Sequence, residues 1–234
     1  MKQTPGKIFL AEQRGLVQTP RSRRYCTFQF GTYTDAHKGP FGNLLALNEE
    51  TLGGGQTVAL PAEAAAHVLV LPVTGAVQAG AAPTPLALVE VEGLCLLTVP
   101  AGGTLTLRNP YADAQITCLH IWVAAAPEPE QIVDNQVFTF NAEALTNQLL
   151  AVLPAAAHLL PFRVSLGRFA GRAEATYELQ NPAAGFFAFV LAGAFEVAGR
   201  LLHAQDGLAL WDVPAVELEA LSNDALVLVL ELAP

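Results

Sequence analysis

The chain has 234 residues, 52% of them hydrophobic and 14% charged, a balance that excludes a disordered polypeptide and supports a sizeable buried core. Its net charge of −9 argues against a nucleic-acid partner, whose phosphates require a basic face. The longest apolar runs, around Val68–Val73 and Ala225–Leu232, fall far short of the ~20 residues a membrane helix needs, so no membrane association is expected.

The opening segment, Met1 to Lys7, carries charge with no apolar stretch behind it. Together with three widely spaced cysteines (Cys26, Cys95 and Cys118) and no CxxC pair, this gives the expectation of a soluble cytoplasmic protein with reduced, buried thiols. Seven of the twelve Lys and Arg lie in the first fifty residues, among them Arg21, Arg23 and Arg24, while the other 184 residues carry five basic and seventeen acidic side chains. The arginine group reads as a solvated turn, with an anion or partner contact as the sharper alternative.

Along the chain, strand signals recur and helical periodicity is nearly absent. Gly53-Gly54-Gly55 lacks the Gly-Lys-Ser/Thr and the following helix of a phosphate loop, and reads as a tight strand connection. Val68-Leu69-Val70-Leu71 suits a strand buried on both faces. Leu88-Val89-Glu90-Val91-Glu92 and Thr104-Leu105-Thr106-Leu107-Arg108 alternate with period two, as strands with one wet face do. Ala124-Ala125-Ala126-Pro127-Glu128-Pro129-Glu130 has linker composition. Asn141–Leu153 suits either an amphipathic helix capped by Asn141 or two short strands. Val216–Glu219 and Leu226–Leu230 close the chain with further strands, and Gly and Pro punctuate the whole at the spacing of sandwiches and barrels. Val73-Thr74-Gly75-Ala76-Val77 and Leu191-Ala192-Gly193-Ala194-Phe195 are echoing turns, which two copies of one architecture would explain. The expected fold is all-β, in two tandem barrels: residues 1–125, a linker at 126–138, and residues 139–234.

Two short frames carry a resemblance. After Gly55 come five residues, then Pro61-Ala62-Glu63, three residues, His67, and a closing Gly75; downstream, Pro100-Ala101-Gly102 is followed by two residues, Leu105, three residues and Asn109. This resembles the paired motifs of the cupin (RmlC-like jelly-roll) β-barrel. The upstream segment Phe28–Asp35 and Phe41–Glu50, with Leu119-His120-Ile121-Trp122-Val123 before the linker, is similar to the pirin branch of that superfamily, and Gly193–Gly199 with Asp206-Gly207 is similar to its C-terminal barrel.

The resemblance implies a bicupin with a divalent metal in the N-terminal barrel, held by three His and one Glu. Some pirin-like proteins are quercetinase-type flavonol dioxygenases and some are iron-dependent transcriptional cofactors. This chain departs from the pattern at the ligands. Pro61 and Glu63 stand where the family has its first two His, His67 stands at the motif Glu, Leu105 at the second-motif His, and Leu107 where pirins place a further Glu. One carboxylate and one imidazole fall short of the three or four convergent donors such sites use. The expectation is therefore no metal, no cofactor and no catalytic residue, and a small-molecule ligand in the N-terminal barrel or a protein partner; the alternative is a metal-dependent flavonol dioxygenase.

Glu63 and His67 are four apart and on a strand would share a face, which allows metal-independent acid–base chemistry; the plainer reading is a packed or hydrogen-bonded His67. His120 reads as structural, His37 as exposed, and His158 and His203 as isolated, leaving the second barrel without a metal site. Arg168 and Arg172 lack phosphate-loop context, and Trp122 and Trp211 read as packing residues.

Overall fold

The computed structural model describes residues 4–126, 133–154 and 160–234, and the chain divides into two compact units. Both are built from antiparallel β-sheet, as expected. The first strand, β1 (Gly6–Phe9), belongs to the second unit.

The first unit, residues 14–139, contains β2 (Gly15–Gln18), β3 (Ser22–Cys26), β4 (Leu44–Leu52), β5 (Thr57–Pro61), β6 (Ala66–Thr74) and β7 (Val77–Ala81). It continues with β8 (Ala87–Val89), β9 (Gly93–Val99), β10 (Thr104–Arg108), β11 (Ile116–Ala124) and β12 (Gln136–Thr139). Seven strands form one sheet in the order β12-β9-β6-β11-β4-β3-β2, and four form another in the order β5-β10-β7-β8. Alternate residues of both sheets meet in one apolar core: Ala66, Val68 and Val70 of β6, Leu105 and Leu107 of β10, and Ala46 and Leu52 of β4 are among them.

The second unit contains β1, then β13 (Leu150–Ala151), β14 (Phe162–Phe169), β15 (Glu174–Glu178), β16 (Gly185–Ala192) and β17 (Ala194–Val197). It closes with β18 (Arg200–His203), β19 (Gly207–Leu210), β20 (Ala215–Ala220) and β21 (Ala225–Leu232). Its sheets run β1-β19-β16-β21-β14-β13 and β15-β20-β17-β18 around a second core rich in phenylalanine, with Phe169, Phe186 and Phe195 fully buried. The echoing turns are real: Gly75 and Gly193 both sit at positive φ (67° and 76°), in the tight turns that carry the chain from one sheet to the other, from β6 to β7 and from β16 to β17.

Several expectations need correction. The expected boundary puts residues 6–9 in the N-terminal barrel, but β1 pairs with β19, two hundred residues away. Part of the expected linker is structured, since Gln136–Thr139 pairs with β9 in the first unit; residues 127–132 of that linker lie outside the described residues. Leu88–Glu92 is not one strand. β8 ends at Val89, and a turn closed by the Gly93 N–H donating to Glu90 O puts Glu92 at φ 67°. In Asn141–Leu153, Asn141 does cap, its side chain accepting the Glu143 N–H, but the turn it starts is a short 3-10 helix over Ala142–Leu145, followed by β13. No helix among the described residues is long and apolar enough to cross a membrane.

Candidate ligand site in the N-terminal barrel

The five positions singled out in the sequence do not come together. Leu105 and Leu107 are fully buried in the barrel core, packed among Leu60, Val77 and Ala79, and line no opening. Pro61, at the end of β5, and Glu63, in the turn before β6, are exposed and lie on the wall of a pocket. His67 is inside β6, and because its neighbours Ala66 and Val68 face the barrel core, its ring faces the other side of the sheet. There its Nδ1 lies 3.0 Å from Oγ1 of Thr98, its cross-strand partner. His67 is thus the packed, hydrogen-bonded residue of the plainer reading; the alternative of an acid–base pair lacks its geometry, because Glu63 stands in a turn and shares no strand face with His67.

The cupin frame implies a divalent metal, and the residues present do not fit one. Among the described residues, no three His, Cys, Asp or Glu side chains are grouped to hold a metal ion. The two frame positions nearest the core are leucines, and His67, the imidazole of the frame, is turned away.

What the barrel mouth offers instead is a pocket of about 360 Å³. Its wall includes Phe30, Tyr33, Leu45, Pro61, Glu63 and Trp122. The Phe30 and Trp122 rings lie 5.3 Å apart at 54°. Phe30 is set by a tight chain reversal in which Phe30 and Tyr33 exchange backbone hydrogen bonds around Gly31, at φ 57°.

Behind these rings lies a polar group that sequence reasoning missed. On β4, the residues sharing the face of Ala46 and Leu52 are Asn48 and Glu50, both buried. Arg24, opposite Glu50 on β3, points its Nε at Glu50 Oε2 at 2.5 Å. His120, opposite Asn48 on β11, is fully buried, with Nε2 3.6 Å from the same Oε2. Its Nδ1 accepts the Trp122 indole N–H at 2.8 Å. The Arg24 guanidinium also lies 5.5 Å from the centre of the Phe30 ring. Burial pushes the His120 imidazole below its ordinary value, with the Glu50 carboxylate acting in the opposite direction. The available signal was the alternation Ala46, Asn48, Glu50, Leu52, which places polar residues on an inward strand face.

The remaining candidates have local roles. Arg21 donates to Gly54 O, steadying the glycine turn, and Arg23 stacks on Tyr25. His37 and His203 are exposed, and His158 lies outside the described residues. Arg172 pairs with Glu219 at 2.8 Å on the surface. Trp211 is 39% exposed, whereas Trp122 is 3% exposed.

Residues 161–232 match the family described as the quercetinase C-terminal cupin domain. No curated protein matches the chain in sequence. Among solved structures, YhhW from Escherichia coli superposes with a TM-score of 0.86 at 19% identity, covering 98% of each chain. The nickel(II) complex of that bacterial pirin gives 0.81 at 18% identity, over 98% of this chain and 100% of that one. Quercetin 2,3-dioxygenase from Acinetobacter baumannii gives 0.73 at 15% identity, over 100% of this chain and 88% of that one. Residues 161–232 thus belong to the quercetinase C-terminal cupin domain family, and the chain as a whole has the two-barrel fold of the bacterial pirin structures.

Proposed function

We propose that the N-terminal barrel binds a flat, largely apolar small molecule at its mouth, without a metal and without catalysis. The observation that carries this reading is the pocket wall itself. Its lining includes the aromatic rings of Phe30, Tyr33 and Trp122, while the frame positions that would hold a metal are Pro61 and Glu63 at the rim and leucines in the core. Concave sites of this size, apolar with a few polar groups, suit small-molecule ligands. The exposed carboxylate of Glu63 at the rim disfavours anionic guests. We place the protein in the reducing interior of the cell, in keeping with three free, buried cysteines. A protein partner presenting an aromatic side chain would use the same surface.

The test has two parts. After incubation with iron, nickel, manganese and zinc salts and desalting, metal content is expected to stay well below one per chain. Trp122 fluorescence is then titrated with naphthalene and with quercetin, in the presence and absence of a chelator. Saturable quenching, indifferent to the chelator and lost in Trp122→Leu, supports the proposal. Retention of about one metal per chain, or oxygen-dependent consumption of quercetin, overturns it in favour of dioxygenase chemistry.

A further inference from the structure

The indole N–H of Trp122 is its one hydrogen-bond donor, and it points away from the pocket, to Nδ1 of His120. An indole can only donate, so Nδ1 is the unprotonated ring nitrogen and Nε2 carries the hydrogen. That N–H faces Glu50 Oε2 at 3.6 Å, and Glu50 is in turn held by Arg24 at 2.5 Å. Four side chains from three adjacent strands, β3, β4 and β11, therefore lie in one row ending at the pocket wall, hydrogen-bonded at its two ends and joined in the middle by the 3.6 Å electrostatic contact of His120 with Glu50, too long for a hydrogen bond. We propose that His120 is a positioning residue for the pocket: it fixes the Trp122 ring and takes up its donor, so that the wall offers guests an aromatic face rather than a hydrogen bond, and protonation of His120 releases that ring.

The proton dependence follows from the same geometry. A doubly protonated imidazole has no lone pair for the indole N–H, so the Trp122 bond and the imidazolium form are mutually exclusive. The groups around the ring fix the rest of the balance. Glu50 from β4 attracts the imidazolium, Arg24 from β3 repels it, and Asn48 from β4 is neutral. The thiols of Cys26 on β3 and Cys118 on β11 share this wall and stay protonated, and Val70 on β6 is apolar. Burial is the largest influence and favours the neutral ring, so the bond to Trp122 is the resting state at neutral pH.

This inference rests on the proposed pocket, and its test separates the two. The probe is naphthalene, which is uncharged at every pH and has no hydrogen-bonding group. Its affinity is measured by Trp122 quenching from pH 7.5 to pH 5 in the native chain, in His120→Gln and in His120→Leu, alongside the indole N–H resonances of Trp122 and Trp211. Glutamine keeps an acceptor for the indole but takes up no proton; leucine keeps neither. The native chain is expected to lose affinity as pH falls through the His120 value, which burial holds below the ordinary imidazole range. His120→Gln should bind like the native chain with a flattened pH profile, and His120→Leu should bind about fivefold to tenfold more weakly at all pH values with the Trp122 resonance shifted. Native-like binding in His120→Leu, or an unchanged pH slope in His120→Gln, overturns the inference and leaves the pocket standing. Absence of naphthalene binding in the native chain overturns both. His120→Gln, close to histidine in size, keeps the test usable if the leucine variant fails to fold.

Discussion

Thr98 Oγ1 lies 3.0 Å from Nδ1 of His67 and at the same time accepts the backbone N–H of Val133 at 3.0 Å. One hydroxyl thus ties the imidazole of β6 to the segment leading into β12, on the face of the sheet opposite the barrel core. Thr98→Val keeps the shape and removes both partners. Two buried polar groups left unmatched are expected to cost about 2–4 kcal/mol in chemical denaturation. Naphthalene affinity should not change, because the pair faces away from the pocket; a large loss of affinity would contradict that placement.

Asn109 was legible as the closing residue of the second cupin frame, and its role here is architectural. Its Nδ2 donates to the carbonyls of Leu52, Gly53 and Ala114, and its Oδ1 accepts the Tyr111 N–H. Asn109→Asp replaces the donor with an oxygen facing three carbonyls. The expected result is a loss of at least ~2 kcal/mol, measured by thermal or urea unfolding, that grows as pH rises through the carboxyl range. A variant as stable as the parent would show these carbonyls to be otherwise satisfied.

Acidification should weaken the fold through its buried histidines. Burial holds both His67 and His120 below the ordinary value. The unfolded chain therefore binds protons more readily than the native one, and stability rises with pH in that window. The contribution is complete above the unfolded value of about 6.5 and is lost as pH falls through the folded values. Urea midpoints are expected to drop between pH 7 and pH 5, and the double change His67→Gln with His120→Gln should reduce that drop. A midpoint rising on acidification would mean that these rings are charged in the fold.

The cysteines should be inert. Burial is the main cause raising the thiol of Cys26 to about 11 and that of Cys95 to about 12, and it pushes Cys118 up as well. All three are free and buried. An aromatic disulfide reagent at pH 8 is expected to find no fast-reacting thiol in the native protein and three in denaturant. Rapid labelling of the native chain would point to local opening of β3, β9 or β11.

The sequence was most informative where a feature depends on neighbours along the chain. Thr104–Arg108 alternates and is β10, and Gly75 and Gly193 mark tight turns between sheets because each turn requires positive φ. Leu88–Glu92 misled because a turn can imitate period two over five residues. Glu63 and His67 misled because the face of a residue is defined only once its strand has begun, and β6 begins at Ala66. The Arg24–Glu50–His120–Trp122 chain could not be read in advance. Its members are brought together by the register of β3 on β4 and of β4 on β11, which no local pattern encodes.

The placement of β1 has a consequence for biosynthesis. During synthesis, residues 14–139 emerge with every strand of their own unit present, whereas the second unit must recruit a strand made before the whole of the first. Asp206 serves as the clasp, its Oδ1 accepting the Ala11 N–H and its Oδ2 the His203 N–H. Until Gly6–Phe9 docks on it, β19 presents an open edge, the kind of surface that pairs with other chains. A shortened or bulky amino terminus would therefore show itself first as self-association of the late-made half, while the pocket-bearing half, complete without it, still folds.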